Sequence, residues 1–302
     1  MKMIISFSRC SGTARRHPVN PCSMLEKLSL ARLFGMPMGV LAAAILASSP
    51  AHAAMSDWAD NQGGRMRLVA LAPDAQGHIR AALQIEPAPG WITYWREPGE
   101  SGIPPQVSPV PDSGVTLTKM GFPVPKPITV GTIQEIGYDA PVTFPLDFRV
   151  EGKQPATLQL TAFIGLCKDI CIPFQAALSL PLSAAGQSTP HEQALLDAAD
   201  AALPQGPAPD FTVESHSLST DTKTLSLRLT LPEETGDAPL IYVTGPTGYV
   251  FFKQANGKRD GKTFATDIAI GKLPKNYDIK GKNWGILVID GEHAMETTLA
   301  FE

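Results

Sequence analysis

The sequence predicts an all-β protein, a β-sandwich followed by a second β-sandwich-like domain. Three observations predict it. Apolar runs alternate with period two, as in Leu158, Leu160, Ala162 and Ile164 against Gln159, Thr161 and Phe163. Turn residues separate these runs at short intervals. The 28 prolines in 302 residues limit helix and favour short strands with bends.

In chain order, the first element is an export signal. Lys27 and Arg32 make a basic start, Leu33 to Ala47 is an apolar run broken only by Gly and Pro, and Ala51-His52-Ala53 is a small-x-small cleavage site. The run is too short, and too soon followed by polar chain, to span a bilayer comfortably, although an uncleaved anchor is the rival. Residues 1–53 are thus expected to be a signal peptide with an upstream extension, so that Cys10 and Cys22 never reach the mature protein. The mature chain is expected to start at Ala54, to be periplasmic and to have no stable membrane insertion. Six of the 25 Lys/Arg and one of the 29 Asp/Glu precede residue 54, leaving 19 basic against 28 acidic residues, a net charge near −9. Such an acidic balance excludes nucleic acid and anionic lipid as natural partners.

Strands are predicted at Arg65–Leu71 and His78–Glu86 around the turn Pro73-Asp74-Ala75-Gln76-Gly77, then at Val115–Phe122, Val142–Val150, Ala156–Leu166 and Ile172–Leu182. One helix is predicted. Thr189 caps it, Pro190 takes its first position, His191–Leu203 carries Ala and Leu at helical spacing, and Pro204 stops it. Pro204-Gln205-Gly206-Pro207-Ala208-Pro209 has a linker composition. The expected divisions are therefore 54–184 for the first domain, 185–209 for helix and linker, and 210–302 for the second. In the second, strands are expected at Thr224–Thr230, Leu240–Val243, Tyr249–Phe252, Phe264–Ile270, Trp284–Ile289 and Met295–Phe301. It has no Cys, and its His216 and His293 read as surface residues.

Two cysteines, Cys167 and Cys171, remain in the mature chain, four positions apart. They form a structural disulfide, a redox couple or a metal pair. With Lys168-Asp169-Ile170 as a three-residue hairpin loop, they become opposed residues on adjacent strands, at a spacing that suits a disulfide. A ring that small adds only about 2 kcal/mol by loop entropy, so the bridge is poorly placed as a staple and well placed as a switch. Lys168 favours the Cys167 thiolate and Asp169 opposes it, so these charges do not choose the nucleophile. Two thiolates also suit Cu(I), and copper-delivery proteins of cytochrome oxidase assembly use the same C-x-x-x-C spacing. Those have a thioredoxin-like fold and a distant His; here there is no βαβ pattern, and no His or Met within ten residues of the pair. No cofactor is expected.

Three ordered motifs carry a resemblance: Gly90-Trp91-Ile92-Thr93-Tyr94-Trp95-Arg96-Glu97-Pro98-Gly99 with Gly102-Ile103-Pro104-Pro105; Ile136-Gly137-Tyr138; and Leu166-Cys167-Lys168-Asp169-Ile170-Cys171-Ile172-Pro173. Over about residues 60–183 the chain resembles the amino-terminal domain of the disulfide reductase DsbD, in the C-x-x-x-C form found in DsbD-like and ScsB-like proteins. Residues 210–302 are more loosely similar to the additional β domain of ScsB-like proteins. The resemblance implies an immunoglobulin-like sandwich and a protein-disulfide oxidoreductase whose Cys167–Cys171 pair takes electrons from a thioredoxin-like partner and reduces periplasmic disulfides. It implies a cap loop at Thr129–Tyr138, with Tyr138 near the sulfurs and Trp95 and Arg96 in a family-like motif. DsbD proper continues into a membrane electron conduit and a thioredoxin-like domain, neither of which lies in this sequence. The expected partners are therefore separate proteins, thioredoxin-like periplasmic proteins or a membrane thiol reductase.

Overall fold

The computed structural model describes residues 55–302 except 100–101, 131–132, 154, 183–189, 234–235 and 247. The export segment, Cys10, Cys22 and the Thr189 cap lie outside the described residues. The fold is all-β, an immunoglobulin-like sandwich continued by further sheets. Its amino-terminal strands are β1 (Ala59–Asn61), β2 (Gly64–Ala70), β3 (His78–Pro87), β4 (Thr93–Gly99), β5 (Gln106–Pro109), β6 (Val115–Met120), β7 (Lys126–Val130), β8 (Ile133–Tyr138), β9 (Val142–Val150), β10 (Thr157–Cys167) and β11 (Cys171–Pro181). After helix α1 (Pro190–Ala201) come β12 (Thr212–Leu218), β13 (Thr224–Thr230), β14 (Leu240–Thr244), β15 (Val250–Phe251), β16 (Gln254–Asp260), β17 (Thr263–Ala269), β18 (Lys282–Asp290) and β19 (His293–Phe301).

The amino-terminal strands make three antiparallel sheets, ordered β1-β2-β3-β9-β6, β11-β10-β5 and β4-β8-β7. The carboxyl-terminal strands make two more, β12-β13-β17-β16 and β15-β14-β18-β19. Alternation decides which face each strand buries. In β10, Leu158, Leu160, Ala162 and Ile164 are buried, and in β13 Leu225, Leu227 and Leu229 are buried while Ser226 and Arg228 face out. Met66, Leu68, Leu83, Ile85, Phe144 and Phe148 meet the buried residues of β10 and β11 in the first core. Each such Leu, Ile or Phe contributes about 1.5–3 kcal/mol on leaving water.

The β2–β3 turn forms as its residues require. Asp74 Oδ1 accepts the Gln76 and His78 amides, and Gly77 adopts φ +78°. Helix α1 lays Leu196 on Val69 and Ala82, and Arg80 pairs with Asp197 and Asp200. It ends at Ala201, and Leu203 instead packs over Gly121. Among the described residues no helix is long and apolar enough to cross a membrane.

Several strands had no counterpart in the sequence reading. In β4, β5 and β7 a proline breaks the alternating pattern, and β16 reads Gln-Ala-Asn-Gly-Lys-Arg-Asp, a polar edge strand. A second core of carboxyl-terminal residues surrounds Trp284, whose indole donates to the Tyr277 hydroxyl at 2.9 Å. Tyr242 and Leu287 leave it and join the first core. That contact matters to the strand that carries the site.

Candidate functional site

The β10–β11 hairpin runs in unbroken register from Thr157↔Pro181 to Cys167↔Cys171. The pattern that buries Leu160 and Ile164 also fixes this register, because a one-residue slip would turn the leucines to solvent. The cysteines are therefore directly opposed, with Cα atoms 4.1 Å apart, and a disulfide joins them. The Lys168 amide donates to the Ile170 carbonyl at 3.2 Å to close the turn.

The two sulfurs have different surroundings. Cys167 exchanges backbone hydrogen bonds with Ile92 on its other side, at 2.8 and 3.0 Å, and is 3% exposed. It packs with Ile92 and Tyr94, and Ile128 of β7 lies against the three. Cys171 is exposed. A reagent in solution thus meets Cys171 first.

Tyr94 touches the sulfur of this exposed residue. Its hydroxyl lies 3.3 Å from Cys171 Sγ and donates, since a disulfide sulfur carries no proton. Its ring occupies a slot between two glycines. A Cβ at Gly102 would come within 2.6 Å of the ring, and one at Gly165 within 3.0 Å of the ring and 2.6 Å of Ile103. The small residues of the Gly102-Ile103 and Gly165-Leu166-Cys167 segments are what let the ring reach the sulfur. Burial, and secondly the charge of buried Glu135, push the phenol well above its ordinary pKa, so it remains a donor through the neutral range.

The other two aromatic candidates sit elsewhere. Tyr138 donates its hydroxyl to the Pro123 carbonyl at 2.7 Å, and its ring stands edge-on to Phe144. Trp95 is buried with its ring 6.0 Å from Tyr242, and the Arg96 guanidinium lies 4.2 Å over it. An irregularity explains the split. β4 inserts four residues between the pairs Tyr94↔Gly137 and Gly99↔Glu135 where β8 has one, freeing Trp95 to Pro98 from the ladder. Arg96 then pairs with Glu296, and Glu97 accepts the Gly248 amide at 3.2 Å. One strand thereby sends Tyr94 to the disulfide and its next three residues toward the carboxyl-terminal sheets.

Sequence reasoning missed Tyr94 as the sulfur's neighbour, although it stands in the motif that includes Trp95. Its one local signal is parity with Ile92, and only the Ile92–Cys167 pairing gives that meaning. Among the described residues no three His, Cys, Asp or Glu gather as a metal site. A cavity of about 430 Å³ is lined by Tyr138, Leu195 and Ala199, among others, and by neither cysteine.

Residues 66–183 match the family model described as thiol:disulfide interchange protein DsbD, N-terminal. In fold, the chain is similar to the solved N-terminal periplasmic domain of ScsB from Proteus mirabilis. That likeness covers 82% of this chain and 98% of the other, at 23% identity and a TM-score of 0.67. It reaches well beyond residues 66–183 and so into the carboxyl-terminal sheets. Among curated proteins none matches the sequence.

Proposed function

We propose that this chain, whose residues 66–183 are a DsbD-like amino-terminal domain, is a periplasmic protein-disulfide oxidoreductase that relays electrons to or from thioredoxin-like partners through Cys167 and Cys171. The observation that carries the proposal is the asymmetry at the hairpin end, with Cys171 exposed and Cys167 buried. In one direction a partner thiolate attacks Cys171 Sγ, forming a mixed disulfide, and Cys167 leaves as a thiolate that takes up a proton. A second partner thiolate then attacks the partner's own sulfur in that bond. Cys171 leaves as a thiolate, the partner departs oxidised, and two electrons stay on the pair. In the other direction the Cys171 thiolate opens a substrate disulfide, and Cys167 displaces the substrate by re-forming the internal bond. The Tyr94 O–H donates to Cys171 Sγ and favours its thiolate in both.

In this reading residues 54–184 are the redox domain, 185–209 the helix and linker, and 210–302 a docking or spacing domain. The periplasmic setting of the ScsB domain and the sequence of residues 24–53 support export. The test is capture in the native host. Cys167→Ser keeps the exposed thiol and removes its resolver, so it should accumulate a reducible adduct of defined size. Cys171→Ser and the double variant should accumulate none. No adduct from either single variant, with tight Cu(I) binding by both thiols of the wild type, would replace exchange with copper carriage.

A further inference from the structure

The side chain next to the exposed sulfur is apolar and open to solvent. Ile170 is 64% exposed, against 39% for Val110 and 41% for Leu240, the other large exposed hydrophobic residues among those described. A tight turn gives isoleucine no packing role, and its usual occupants are Gly, Asn, Asp and Ser. The turn is closed by backbone, Lys168 N–H to Ile170 C=O, and not by this side chain. Lys168 and Asp169, also exposed, bring one charge of each sign, so the tip is apolar at its end with no net charge.

Disulfide geometry decides what must cover it. A mixed disulfide at Cys171 brings the partner cysteine's Cα to roughly 4.4–6.8 Å from the Cys171 Cα. The Ile170 Cα is only about 3.8 Å from that atom along the chain. A folded protein bonded through Cys171 therefore has its reactive cysteine beside Ile170 and brings surface there, whereas a small thiol brings none. We propose that Ile170 is a docking residue that seats in an apolar depression beside the reactive cysteine of a folded protein partner. It thereby selects protein thiols over small ones. The inference rests on the exchange reading above and adds the surface that recognises the partner.

Stopped-flow exchange tests it, with the oxidised protein reacting with reduced thioredoxin in one arm and glutathione in the other. Burying most of an isoleucine side chain corresponds to a factor of about 10–100 in a rate or equilibrium constant. Even half of that free energy in the transition state means that Ile170→Ser slows the thioredoxin reaction about 3- to 10-fold, one decade being about 1.4 kcal/mol. Ile170→Leu should keep most of the rate, and the glutathione rate should be the same in all three proteins. An equal fall with both probes would make Ile170 a support of the disulfide itself, and no fall with thioredoxin would remove it from the docking surface. A wild type that reacts with glutathione as fast as with thioredoxin would also overturn the proposal. A wild type that reacts with neither probe would refute the exchange reading instead. Sedimentation of wild type and Ile170→Ser covers the remaining occupant. A wild-type dimer that the substitution dissociates would assign the surface to a second copy of this chain.

Discussion

Replacing Tyr94 with Phe deletes the hydroxyl 3.3 Å from Cys171 Sγ and keeps the ring that fills the slot between Gly102 and Gly165. In the oxidised protein that hydrogen bond joins neutral groups and contributes about 0.5–1.5 kcal/mol. Once Cys171 is a thiolate the acceptor is charged, and the contribution rises to about 1.5–3 kcal/mol. Tyr94→Phe therefore costs the reduced, ionised form about 1 kcal/mol more than the oxidised form. With about 1.4 kcal/mol to a pKa unit, the Cys171 thiol should rise by roughly 0.7 unit. With about 1.4 kcal/mol to 30 mV for a two-electron couple, the reduction potential should fall by about 20 mV, toward a more reducing pair. Burial keeps the phenol protonated through the neutral range, so the shift in potential should be largest above the thiol pKa and shrink below it. The rate of alkylation by iodoacetamide against pH, in a Cys167→Ser background, reads the first quantity. Equilibration with glutathione buffers reads the second, with Cys167 in place. Coincident pH profiles and potentials for Tyr and Phe would refute a role for the hydroxyl.

Cys167→Ser combined with Cys171→Ser should abolish exchange and lower stability by at most about 2 kcal/mol in urea unfolding, because the closed ring is small and the hairpin already holds it. The wild-type couple should lie above about −300 mV, the level below which structural disulfides typically sit. Gly165→Ala should cost about 1–3 kcal/mol, since its Cβ would meet Ile103 at 2.6 Å. The same crowding should move Tyr94 and shift the potential in the direction of Tyr94→Phe. Tyr94, Tyr138 and Tyr242 all have phenols raised by burial, Tyr242 to about 12. An unfolded tyrosine ionises near pH 10, so this stabilisation is full below about pH 10 and is lost as pH rises toward 12. Denaturant midpoints should be level to pH 9 and then drop, and Tyr242→Phe should soften the drop.

Features that depend only on neighbours in the chain are legible in the residues themselves. Alternation in Leu158–Ile164 names the buried face of β10, and Asp74 with Gly77 names the turn before β3. Four-residue spacing around a three-residue turn brings Cys167 and Cys171 opposite each other, because the hairpin ladder is local. Tertiary structure alone decided the rest of the site, which depends on pairings between distant segments. Ile92 docks on Cys167 across some 75 residues, so Cys167 is buried while Cys171 stays an exposed residue. The same docking brings Tyr94 to Cys171 in place of Tyr138 or Trp95, and the irregularity after Tyr94 turns Trp95 and Arg96 toward Tyr242 and Glu296. No periodicity in a segment states which strand will lie beside it. That choice belongs to the packing of whole sheets, and here the packing makes two identical cysteines unlike.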